Sequence, residues 1–227
     1  MKKILTTIAA SLFAFGAYAN DIYVTQSGDS LDLDITQDGQ NNTVGNSTTA
    51  SASTGSTTIL DIDQVGGSNV LTYQVNGATF TGTFNVTGDS NDIDFNCDST
   101  NGNSSCGTVT ASITMVGDSN DIDLDIGETS DASNSTATIT SAGSDDSNVI
   151  AATIDGTSAI LTITVDGSTN NWLVDIDGNG DINGHTLIHS HTGGIADVDI
   201  VQSGVYDNYI SLTTSGDNAD IDISQTD

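Results

Sequence analysis

The feature that most constrains this chain is an internal repeat. A glycine stands two residues after a Gln or apolar residue, and an Asn usually follows a few positions on. The starts are Gln26, Gln64, Val86, Met115, Ser141, Val165 and Gln202. Each is followed by a second such position: Gln37, Val75, Cys97, Ile126, Ile154, Ile176 and Thr214. First and second positions lie 11 residues apart in five units, with 13 after Ser141 and 12 after Gln202. The return to the next start varies from 11 to 27 residues. Two units share the string GDSNDID, at Gly88–Asp94 and Gly117–Asp123. Seven such units describe a repeat architecture with one arch of fixed length and one that accepts insertions.

Within the fixed half the period is two, which is that of a strand with one buried face. The inward set reads Asn91-Ile93-Phe95-Cys97 in one unit and Asn120-Ile122-Leu124-Ile126 in the next. The alternate positions are mostly Asp, Thr, Ser or Asn, as in Asp92, Asp94, Asp121 and Asp123. A lone strand-turn-strand rung leaves its backbone groups and apolar edge unpartnered, so the rungs must stack. The expected fold is all-β, a β-solenoid of about seven rungs spaced about 4.8 Å apart. Asn69, Asn91, Asn120, Asn148, Asn170 and Asn208 fall at one place in their units. They read as a buried amide ladder of the kind stacked strands form, or as residues chosen for turn geometry alone.

Composition agrees. The 227 residues include no proline and 24 glycines, and only two bases, Lys2 and Lys3, stand against 31 acids. The formal net charge is −29, or −31 once Lys2 and Lys3 are lost. Nucleic-acid binding is excluded, because counterion release needs cations opposite phosphate. Anionic membranes and Arg- or Lys-gripped substrates are disfavoured for the same reason. Lys2 and Lys3 precede an apolar run from Ile4 to Phe15, followed by Ala17-Tyr18-Ala19. That pattern predicts a secretory signal peptide over 1–19, leaving a mature repeat domain over 20–227. The run is too short to span a bilayer, and no membrane insertion is expected.

Gln64-Val65-Gly66-Gly67-Ser68-Asn69 resembles the curlin repeat, the unit of curli fibres. Gln37-Asp38-Gly39-Gln40-Asn41-Asn42 and Gln202-Ser203-Gly204 are partial copies, while four starts carry Val, Met or Ser in place of Gln. The resemblance implies a secreted, self-assembling subunit of an extracellular amyloid fibre in a biofilm matrix. It also implies head-to-tail homopolymers, a nucleator subunit, a dedicated outer-membrane export pore, and the surface of a Gram-negative-type bacterium.

Other candidates carry less. Cys97 and Cys106 read as an intraloop disulfide in an exported protein, or as two free thiols. His185, His189 and His191 share one face if extended, as a Zn²⁺ or Cu²⁺ site or as a solvated strand within an insertion. Asp175–Ile182 matches the start of a Ca²⁺ loop, but Thr186 stands where a bidentate Glu belongs, so a turn is the other reading. In the stacked register Asp92 lies over Asp121 and Asp94 over Asp123, four carboxylates that Ca²⁺ would suit. No nucleophile elbow, phosphate loop or HExxH is present, and no enzyme is expected. The alternatives to a fibre subunit are a monomeric Ca²⁺-binding solenoid adhesin and a surface- or ice-binding module. The latter rests on Ser112/Thr114, Thr138/Thr140 and Thr162/Thr164, which would stack as a flat array.

Overall fold

A computed structural model of the chain describes residues 20–39, 41–45, 51–97, 106–127, 132–143, 147–177, 184–204 and 208–226. The signal-peptide segment 1–19 lies outside the described residues. The described chain is a parallel β-solenoid, as the two-residue periodicity requires. All strand pairings are parallel, each segment pairing with the one a full turn before and after it.

The coil is flattened into two walls. The first stacks Ser30–Asp38, 57–65, 79–87, Thr108–Val116, Asn134–Ala142, 159–166, 186–192 and Tyr209–Ser215. The second runs from 20–27 through Ser90–Cys97, Ser119–Ile126 and Ser147–Asp155 to Asn218–Thr226. Inward side chains of the walls meet in one narrow core. Phe95 of the second wall stacks on Phe80 of the first at 4.8 Å between ring centroids and meets Phe84 at 5.5 Å. Gly82 lies between those two phenylalanines, and a Cβ there would come within 2.3 Å of the Phe80 ring. The ring fills the space that a side chain would need.

The repeated glycine has a steric cause. A Cβ on Gly117 would lie 1.7 Å from the carbonyl oxygen of Gly88, and one on Gly88 would lie 2.4 Å from that of Gly66. Successive turns stack backbone on backbone at this corner, so no side chain fits between them.

The stacked register corrects the sequence phase at both ends. One first-wall column runs Gln37, Gln64, Val86, Met115, Ser141, Val165, His191 and Thr214, seven stacking steps in all. Gln26 and Gln202 belong to the second wall, in the column that passes through Ser53, Ile126, Ile154 and Ile176 to Gln225. The interval from Gln26 to Gln37 is 11 residues, the same as from Gln64 to Val75. Spacing alone therefore cannot say which wall a Gln starts on.

Candidate functional site

The corner after the first wall carries the amide ladder. Asn69 Nδ2 donates to Asn91 Oδ1 at 2.9 Å, and Asn91 Nδ2 to Asn120 Oδ1 at 2.7 Å. Asn120 donates on to Asn148, and Asn148 to Asn170, both at 2.8 Å. All five are buried. Their amides also hold the turns: Asn69 donates to the Thr87 carbonyl at 2.8 Å and Asn170 to the Gly167 carbonyl at 3.1 Å. The ladder and the turn are thus served by one side chain. Asn42, which the sequence reading left out, lies in register beneath Asn69 and donates to the Val65 carbonyl.

Asn208 is not part of this column. It sits on the first wall, where its Oδ1 accepts from the His185 backbone NH at 3.1 Å. The ladder position after Asn170 is Ala196, and Asn170 meets the Nε2 of His191 instead, at 3.2 Å.

The three histidines are core residues, not a solvated strand, and their segment is a first-wall rung rather than an insertion. His189 stacks on Ile163 in a column of Ile and Phe, and His191 on Val165. All three are almost fully buried. Trp172 of the opposite wall lies 4.2 Å from the His189 ring and 5.1 Å from His191. Burial, reinforced by His191, pushes the His189 pKa down to about 4. Burial lowers His185 and His191 as well, against the opposing pull of Asp177 and Asp166 respectively. The His185 Nδ1 accepts from the Ala159 backbone NH at 3.1 Å. Among the described residues no group of three or more His, Cys, Asp or Glu side chains could hold a metal ion.

Cys97 and Cys106 are bonded to each other, with Cα atoms 5.7 Å apart and both residues buried. Cys97 ends a second-wall strand and Cys106 precedes the next first-wall strand, so the bond ties the two walls together at this turn. A bond closing so short a loop contributes roughly 2–3 kcal/mol. Of the Ca²⁺-loop candidate, Asp175, Ile176 and Asp177 end a strand, and 178–182 lies outside the described residues.

The outer surfaces of the walls differ sharply. From Ser90–Cys97 to Asn218–Thr226, the second wall's outward positions hold Asp92, Asp94, Asp121, Asp123, Asp125, Asp155, Asp175, Asp177, Asp197, Asp199, Asp220 and Asp222. Asp92 is the register partner of Asp121, and Asp94 of Asp123. Partial burial, then the neighbouring carboxylates Asp121, Asp94 and Asp123, holds Asp92 above the usual carboxylate range. Asp94 and Asp121 are raised by burial and then by Asp123. The first wall carries Asp32, Asp34, Asp38, Asp61 and Asp63 on its first two rungs and mainly hydroxyls beyond them: Ser112, Thr138 and Thr162 stack in register, as do Thr114, Thr140 and Thr164.

Comparison with protein-family models, curated proteins and solved structures finds no match to this chain.

Proposed function

We propose that this chain is a structural subunit, without catalysis, that stacks head to tail into a secreted extracellular fibre. The observation that carries this reading is the pairing of the outermost rungs. Among the described residues, Ser30–Asp38 pairs only with the rung above it and Tyr209–Ser215 only with the rung below. At the first end Leu31 and Leu33 are half-buried. At the other, Ile210 and Leu212 are half-buried, and Ile223 is 48% exposed. Unpaired strand edges template further pairing. An interface repeated head to tail grows without closing.

The two edges fit each other by column. Leu33 and Ile35 share their columns with Ile210 and Leu212, and Gln26 shares its column with Gln225. A second copy whose 20–27 segment is set on Asn218–Thr226 continues inner columns of the second wall with residues of like character, Ile22 on Ile221 and Gln26 on Gln225. The resemblance of Gln64–Asn69 to the curlin repeat supports the same reading. It adds export through a dedicated outer-membrane pore, a nucleating partner subunit, and a place in the matrix of a Gram-negative-type cell surface. Ca²⁺ would serve the aspartate wall as a divalent counterion between stacked carboxylates rather than as an ion held by three or more of them.

The test is incubation of the purified protein followed by electron microscopy and fibre diffraction. Filaments with an axial repeat of about 4.8 Å are expected. A permanently monodisperse monomer in light scattering would contradict the proposal.

A further inference from the structure

Charge is divided between the walls far more unevenly than composition requires. The first two rungs of the first wall, Ser30–Asp38 and 57–65, carry Asp32, Asp34, Asp38, Asp61 and Asp63 outward, but from 79–87 to Tyr209–Ser215, six rungs, its outward positions carry one acid, Asp166. The corresponding six rungs of the second wall carry the twelve aspartates named above. Both walls also expose single apolar side chains: Val116, Ile160 and Ile188 on the first, and Val149, Leu173 and Val201 on the second.

We propose that the threonine wall is where two copies of this chain pair face to face, leaving both aspartate walls in solvent. Charge selects the face. A chain whose charge falls to −31 without its two lysines repels its own kind, and these six rungs let two copies approach with Asp166 as the one outward carboxylate on each. Geometry allows it as well. Both copies present the same rows at about 4.8 Å along the axis and about 7 Å along the strand, so a two-fold arrangement is self-complementary. Four outward columns over six rungs cover roughly 20 by 24 Å, about 500 Å² in projection on each copy. The two together reach about 1,000 Å², the lower bound of a specific interface, and the area grows with every copy added along the axis. The methyls of the column through Thr138 and Thr162 would interdigitate with their copies as they do between paired sheets. This lateral pairing goes beyond end-to-end stacking and does not depend on it.

The experiment is mass per unit length by scanning transmission electron microscopy, on the wild-type protein and two variants. One variant is Thr138→Asp/Thr162→Asp on the neutral wall. The other is Asp121→Asn/Asp123→Asn on the acidic wall. The wild type is expected to carry two chains per solenoid length, the first variant one, and the second two, all with the same far-ultraviolet circular dichroism. If the chains do not join end to end, the pair instead reads in light scattering as a particle of twice the chain mass. Failure of the filament and failure of the pairing are thereby told apart. Single-file wild-type filaments or a monomeric wild type would overturn the proposal without any variant. So would full pairing by a folded Thr138→Asp/Thr162→Asp chain. A monomer whose threonine wall adsorbs to ice or to an uncharged polysaccharide would assign that wall to a different occupant.

Discussion

Asn91 and Asn120, 29 residues apart in sequence, are joined by an amide hydrogen bond of 2.7 Å in a column closed to solvent. Asn91, Asn120, Asn148 and Asn170 each accept from the amide before them and donate onward, while Asn69 at the head of the series only donates. Neutrality is part of its design, because a carboxylate there has no NH2 to pass on and must lose its hydration.

Asn120→Asp should therefore cost several kcal/mol at neutral pH. The carboxyl's folded pKa would be raised, so the penalty is present above that pKa and relieved as the group is protonated. Melting temperature is expected to fall at pH 7 and partly recover near pH 4. Equal stability at both pH values would mean that the side chain faces water.

His189 predicts the opposite slope. Its folded pKa lies near 4 against 6.5 unfolded. The neutral ring's contribution is whole above about pH 6.5 and is lost as pH falls towards 4, because the unfolded chain takes up the proton first. The loss amounts to about 3 kcal/mol from this group. His189→Leu, which restores the apolar character of its column, should flatten stability between pH 6.5 and 4. Titration of the ring by NMR with an ordinary pKa would contradict the burial.

The aspartate wall responds to neutralisation. Asp92, Asp94 and Asp121 have folded pKa values raised above the usual range. Their protonated forms are favoured in the folded state, so stability from this source grows as pH falls through those raised values and is absent at pH 7. Replacing Asp92, Asp94, Asp121 and Asp123 by Asn should raise the melting temperature at pH 7 without divalent ions. The rise is about 2–4 °C for each kcal/mol in a chain of this size. Millimolar Ca²⁺ should stabilise the wild type more than Na⁺ of matched ionic strength, and the quadruple variant should lose that difference. A full Ca²⁺ effect in the variant would place the ion elsewhere.

Much of this was legible in the residues, and the misses have physical causes. The alternation of Asp with Ile in Asn91–Cys97 and Asn120–Ile126 announces strands with one buried face, and the shared glycine aligns them. Asn208 misled because it too follows a glycine closely, after Gly204, yet its turn leads into the first wall rather than the second. The histidines misled because imidazole is usually solvated. Only the column through Ile139, Ile163 and His189 shows that the ring takes an isoleucine's place. The contrast between walls was not visible, because a sequence alternates in and out but does not say which outward faces lie side by side. The threonine array at Ser112, Thr138 and Thr162 and the stacking of Asp92 over Asp121 were its traces.

The most direct test of head-to-tail stacking is a disulfide between copies. Gln26 and Gln225 occupy one column at opposite ends of the solenoid. Within a chain they lie eight rungs, roughly 38 Å, apart. Across a stacked junction they would be neighbours at about 4.8 Å, inside the range a disulfide spans. Gln26→Cys/Gln225→Cys, assembled and oxidised, is expected to give ladders of covalent multimers that collapse to one band on reduction. Each single variant should give dimers at most. Assembled double-variant protein that stays monomeric on a non-reducing gel would contradict the stacking.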